Sequence, residues 1–142
     1  MFERILVVCD GNICRSPTAA AMLARDTGKQ VSSAGLVALV DHDMDATARE
    51  VAEENGLMCP AHQARKLTRE LCREADLILV METRHWDRIA AMAPEVSGKT
   101  FLLGKWVNDQ EIPDPYKRSR EVYEKAYEMM VGATAAWARR IV

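Results

Sequence analysis

A chain of 142 residues in which 19 Lys and Arg nearly balance 21 Asp and Glu, for a formal charge of -2, carries no basic footprint for nucleic acid and no polybasic membrane anchor. The length suits one domain, residues 1–142, large enough to bury a core without staples. Met1-Phe2-Glu3-Arg4 runs straight into an apolar strand, with no secretory pattern and no apolar run of about 18 residues or more. A cytoplasmic protein without stable membrane association is therefore expected. Its four cysteines are expected to be reduced, with one or two of them catalytic or redox-active.

Ile5 to Val8 is short, β-branched and apolar throughout, as a parallel strand buried on both faces should be. After a tight turn, Ser16 is placed to cap a helix with Pro17 at its first position, and that helix ends near Gly28. Gln30–Ala34 reads as a second strand and Leu36–Met44 as a loop. Asp45 caps a helix from Ala46 to Asn55 that stops at Gly56. A turn at Cys59-Pro60 leads through His62–Arg65 to a short helix capped by Thr68. Asp76–Met81 is the third strand, Arg84–Met92 a helix broken by Pro94, and Thr100–Leu103 the fourth strand. A long loop, Gly104–Arg118, precedes a final amphipathic helix from Ser119, with Val122, Tyr123, Ala126, Met130 and Ala133 on one buried stripe. Such alternation implies the α/β class: a four-stranded parallel sheet, doubly wound, with helices on both faces and ligands beyond the carboxyl ends of the strands.

The chemistry concentrates at Cys9-Asp10-Gly11-Asn12-Ile13-Cys14-Arg15-Ser16-Pro17. Backbone N–H groups of Asp10 to Ser16 and the positive end of the first helix converge there as an anion site. Cys9 lies at its floor, and the planar fork of Arg15 can grip two oxygens of a tetrahedral anion. Helix N-termini and nearby cations favour a thiolate, so the arrangement reads as a nucleophile beneath a bound phosphate. A buried Cys and a surface Arg are the plainer alternative, but they leave the strand, the glycine turn and the Ser-Pro helix start without a purpose. The loop after the fourth strand opens on the same edge, and its Ile112-Pro-Asp-Pro-Tyr116 core, stiffened by two prolines, presents Asp114. Metal chemistry finds no support. Asp41, Asp43 and Asp45 imitate a calcium loop, but Ala46 and Ala52 stand where Gly and Glu are needed, and Cys59, His62 and Cys72 lack paired ligand spacing. Cys72 reads as core. Trp86, Trp106 and Trp137 read as separate packing residues, and Tyr123 and Tyr127 lie at the core boundary.

Cys-x-Gly-Asn-x-Cys-Arg-Ser-Pro near the N-terminus resembles the signature of the low-molecular-weight protein tyrosine phosphatases, whose fold is flavodoxin-like. Asp114-Pro115-Tyr116 resembles their general-acid motif. Ser33-Ala-Gly-Leu36, Met81-Glu82 and Ile112–Tyr116 bring the chain nearest to the bacterial members that act beside tyrosine autokinases in capsule and exopolysaccharide export. The resemblance implies a monomeric phosphotyrosine phosphatase that uses no cofactor and no metal, with Cys9 as nucleophile, Arg15 as clamp and Asp114 as general acid. It implies that Asn12 holds the loop in a strained turn together with Ser33 and His62, and that the Ser16 hydroxyl serves the thiolate. Ile13 and Tyr116 would face the substrate ring, with Leu39 as an aliphatic opposite wall. Two departures stand out: Asp10 replaces a residue that is small or apolar in relatives and is expected to face solvent, and Lys117 replaces a second tyrosine. The same fold also serves thioredoxin-coupled arsenate reductases and protein arginine phosphatases, the latter carrying Thr where this chain has Ile13. A non-enzymatic module binding a nucleotide phosphate is the remaining alternative.

Overall fold

A computed structural model describes residues 2–141. The strands β1 (Arg4–Cys9), β2 (Gln30–Gly35), β3 (Leu77–Val80) and β4 (Thr100–Leu102) form one sheet in the order β2-β1-β3-β4. Every pairing is parallel, with Ile5 opposite both Val31 and Leu77. Strand order reverses between β1 and β3, and it is at such a switch point, beyond the carboxyl ends, that an open α/β sheet leaves its crevice.

Side-chain alternation along the central strands divides the core in two. Ile5, Val7, Leu77 and Leu79 face one way and pack with Met22 and Leu23 of α1 (Arg15–Thr27), Val51 of α2 (Ala46–Glu54) and Met130 and Trp137 of α5 (Arg120–Ile141). Leu6, Val8, Ile78 and Val80 face the other way, onto Cys72 of α3 (Arg69–Glu74) and Ile89 of α4 (Thr83–Met92). Each such side chain, removed from water, contributes about 1.5–3 kcal/mol, so both helical layers hold the edge on which the loops gather. Cys72 is core, as its surroundings in the sequence suggest.

Several boundaries differ from the sequence reading, for identifiable reasons. Helix α1 begins at Arg15 with Cys14 at the cap position, so Ser16 and Pro17 lie inside its first turn. Pro17 still costs nothing there, since the first N–H groups of a helix have no intrahelical partner; Ser16 does not cap, because its hydroxyl is spent on Cys9. Helix α4 starts one residue earlier than Arg84, because Glu82 and His85 close a capping box over the first turn. The Gly104–Arg118 segment is more ordered than a plain loop. Gly104 pairs with Gln110, left-handed backbone at Asn108 and Asp109 turns the chain, and a Cβ on Gly104 would lie 2.0 Å from the Gln110 oxygen. Trp106 and Trp137 are not separate. Their rings meet edge-on at 5.6 Å, with the Arg140 guanidinium 3.9 Å above Trp106. On α5, Tyr123, Ala126, Met130 and Ala133 are buried and Val122 is half-buried.

Candidate active site

Cys9 ends β1, and the chain then curls through residues 10–14 into the start of α1. Each carbonyl along this turn is claimed from outside. Leu36, Val37 and Leu39 N–H groups donate to the carbonyls of Cys9 (2.9 Å), Asp10 (2.9 Å) and Gly11 (3.1 Å), and Asp45 N–H donates to Ile13 (2.8 Å). His62 Nε2 donates to the Asn12 carbonyl at 2.6 Å, and the Thr18 hydroxyl donates to that of Cys14 at 2.8 Å. With the carbonyls turned outward, no acceptor among the described residues takes the N–H groups of Gly11, Asn12, Ile13 or Cys14. Amides so arranged at a helix N-terminus make a concave anion cradle.

Asn12, not Gly11, carries the left-handed conformation that closes the turn, with φ of 59°. Asn tolerates that region better than most residues, and its side chain is fully used. Nδ2 donates to Ser16 Oγ (2.8 Å) and Ser33 Oγ (2.9 Å), while Oδ1 accepts from Arg65 N–H (3.0 Å). Because Asn12 donates to Ser16, the Ser16 hydroxyl hydrogen is free for the Cys9 sulfur, 3.0 Å away. Beneath the turn lies Gly35, where a Cβ would stand 2.4 Å from the Asp10 carbonyl oxygen. Only glycine lets β2 pass that close.

Arg15 is 1% exposed and held from several sides. Nη1 donates to Glu82 Oε2 (2.6 Å) and to the Ile112 carbonyl (2.8 Å), and Nη2 donates to Asp10 Oδ2 (3.1 Å). No acceptor among the described residues takes Nε. That edge of the guanidinium is left for a ligand. Ile112 also donates its N–H to the Met81 carbonyl at 3.0 Å, which ties the segment bearing Asp114 to the end of β3. Asp114 Oδ2 comes to 3.7 Å from Arg15 Nη2, with the side chain 42% exposed, and Oδ1 accepts from Tyr116 N–H at 3.1 Å. Cys9, Asp10, Gly11, Ile13, Cys14, Arg15, Val37, Leu39, Asp114 and Tyr116 line one cleft of about 190 Å³. Three larger hollows, about 740, 560 and 230 Å³, reach neither Cys9 nor Asp114; the smaller cleft is the one that brings them together.

Asp10 does not face solvent freely, contrary to the sequence expectation. Arg84 grips both of its oxygens (3.0 and 2.5 Å), Arg15 takes Oδ2, and His85 Nε2 donates to Oδ1 at 3.1 Å. Burial pushes the Asp10 carboxyl up, but the Arg84 hydrogen bonds and the neighbouring cations outweigh it and hold the group below its ordinary value. Burial likewise works against the charged form of Glu82, and the bonds from Arg15 and Arg84 overcome it. The Cys14 thiol is pushed strongly up, first by burial and then by Asp45, Cys9 and Asp114. Asp10, Glu82 and His85 offer donor atoms within 4.8 Å of one another. Their chemistry does not fit a metal, because guanidinium groups already occupy both carboxylates and His85 Nδ1 accepts from Glu82 N–H. Glu82, Arg84, His85, Arg65 and Val37 were not singled out as site residues from the sequence. For Glu82 a signal existed, since it follows the third strand at the carboxyl edge.

The site's residues thus come from well-separated stretches of the chain, and known proteins share the whole frame. The family described as low molecular weight phosphotyrosine protein phosphatase matches residues 4–142. The low molecular weight protein-tyrosine-phosphatase Wzb of Escherichia coli (strain K12) is 50% identical over 142 residues, covering 99% of this chain and 97% of the relative. The structure of Vibrio vulnificus Wzb in complex with benzylphosphonate superimposes with a TM-score of 0.96 at 45% identity, covering 99% of each chain. The YwlE arginine phosphatase from Geobacillus stearothermophilus is more distant, at 36% identity and a TM-score of 0.91 over 98% of this chain and 92% of its own. No helix among the described residues is long and apolar enough to cross a membrane. With the family matched over residues 4–142 and half of all positions shared with Wzb, this chain belongs to the low molecular weight phosphotyrosine protein phosphatases.

Proposed function

We propose that the chain hydrolyses phosphotyrosine on a protein substrate by two in-line phosphoryl transfers through a phosphocysteine at Cys9. The observation that carries this reading is the meeting of Cys9, Arg15 and Asp114 in one cleft beside an outward-turned amide cradle. The Cys9 thiolate attacks phosphorus while Arg15 and the cradle stabilise the equatorial oxygens. Asp114 protonates the departing phenolate, then takes a proton from the water that hydrolyses the phosphocysteine. Asn12, Ser33 and His62 hold the turn, Ser16 serves the sulfur, and no metal or cofactor enters a step. Ile13, Leu39 and Tyr116 give the cleft apolar walls suited to a phenyl ring. Phosphoserine is too short to place its phosphorus over a floor at that depth, and Ile13 offers a guanidinium phosphate no hydrogen bond. An arsenate-reductase relay lacks support because Cys72 and Cys59 pack in the cores on opposite faces of the sheet.

The natural substrate in this reading is the tyrosine-rich tail of an autokinase of exopolysaccharide or capsule production, met by a monomer in the cytoplasm. Support for that step is the resemblance to the bacterial relatives. Quenched-flow hydrolysis of p-nitrophenyl phosphate tests the reaction. A product burst stoichiometric with enzyme, phosphate trapped on Cys9, and loss of turnover in Cys9→Ser are expected; retained activity in that variant overturns the assignment. Parallel assays of phosphotyrosine, phosphoserine and phosphoarginine peptides test the choice of substrate, and an autokinase tail left phosphorylated while other phosphotyrosine peptides are cleaved rejects the partner.

A further inference from the structure

Arg15 is oriented from behind by two carboxylates, Glu82 on Nη1 and Asp10 on Nη2. Two carboxylates on one guanidinium leave a net negative charge beside the anion cradle, the wrong sign for taking up phosphate. Arg84 removes that charge. Its Nη1 and Nη2 donate to Asp10 at 3.0 and 2.5 Å, and its Nε and Nη2 donate to the two oxygens of Glu82, both at 3.1 Å. Arg15, Asp10, Arg84 and Glu82 therefore close an ionic ring without net charge.

His85 completes the ring without altering its charge. Its Nδ1 accepts from Glu82 N–H, so the ring hydrogen is on Nε2 and is donated to Asp10. Burial first, and then Arg15 and Arg84, disfavour its imidazolium against the pull of Asp10 and Glu82. Arg84 itself is half in solvent and does not line the cleft.

We infer that Arg84 is a positioning residue for the phosphate site, acting through Asp10 and Glu82: it neutralises the two carboxylates so that they can orient Arg15 without repelling the anion. The inference rests on residues 9–16 being that phosphate site. It also explains how this loop carries a carboxylate at position 10, directly after the nucleophile.

Competitive inhibition by inorganic phosphate, measured against p-nitrophenyl phosphate at low ionic strength, provides the test in wild type, R84Q, R84K, D10N and D10N/R84Q. An uncovered unit charge a few ångströms from the anion, partly screened by solvent, raises the inhibition constant of R84Q about tenfold. R84K keeps the charge without the fork and lies between R84Q and wild type. D10N/R84Q, which removes one charge of each sign, returns to within about threefold of wild type, and the defect of R84Q shrinks in salt of about 0.5 M. An R84Q constant equal to that of wild type overturns the inference. So does a double variant no better than R84Q, the result expected if Arg84 only fastens α4. If wild type itself is not inhibited by phosphate, the phosphate site fails and the inference with it. Inhibited wild type beside an indifferent R84Q rejects the role of Arg84 alone.

Discussion

Cys9 Sγ and Ser16 Oγ stand 3.0 Å apart, and the direction of the bond between them is set by a third residue: Asn12 donates to the hydroxyl, so the hydroxyl donates to sulfur. A hydrogen bond to a charged group is worth about 1.5–3 kcal/mol. Ser16→Ala is therefore expected to lower turnover about ten- to a hundredfold, with the greater loss in breakdown of the phosphocysteine, where the thiolate departs. Single-turnover kinetics separate the two steps, and equal losses in both reject a leaving-group role.

Asp114 is the most solvent-exposed member of the proposed catalytic set, held by Tyr116 N–H on one oxygen and drawn toward Arg15 by the other. A phenolate with a conjugate acid near pKa 10 needs a proton in the transition state, whereas a strongly acidic leaving group does not. Asp114→Asn should lose far more rate on phosphotyrosine than on an activated aryl phosphate. Equal losses on the two substrates indicate a residue that only positions the loop.

Two thiols share the cleft, but only one is suited to react. Burial, Asp45, Cys9 and Asp114 all disfavour a Cys14 thiolate, and a protonated thiol is a poor nucleophile. Iodoacetate at neutral pH should modify Cys9, with phosphate protecting, and leave Cys14 intact. Peptide mapping reads this directly; early label on Cys14 contradicts it.

Part of the stability lost in acid should come from Asp10. The Asp10 carboxyl is held below its ordinary value, so it contributes stability that is fully present above the unfolded-state range near 4. That contribution is lost as pH falls through the lower folded value. Asp10→Asn should therefore flatten the acid limb of the stability profile below about pH 4 and leave the slope above pH 5 unchanged. An acid limb identical to wild type removes Asp10 from the account.

How far the molecule was legible from its residues depended on the distance over which each feature is decided. The strand before Cys9, the Asp45 and Thr68 caps and the turn from that strand into α1 are local, and local chemistry is enough to read them. Local sequence leaves the side chain of Asp10 in solvent because its partners, Arg84 and His85, are 74 and 75 residues away. Ser16 looked like a cap because its neighbour is Pro17, yet Asn12 and Cys9 made better use of its hydroxyl. The contact of Trp106 with Trp137 likewise depends on how α5 packs beside the turn after β4, which no spacing reveals.

The carbonyls of residues 9–14 are claimed by donors at positions 18, 36, 37, 39, 45 and 62, so no single segment owns the cradle. Its shape is a property of the assembled chain. Fraying of the stretch after β2, of the start of α2 or of the His62 turn would release at least one carbonyl to swing inward, where it would oppose an incoming anion. Catalytic competence is then a more sensitive gauge of the native state than helix content, because it fades with the first local opening and not with the last.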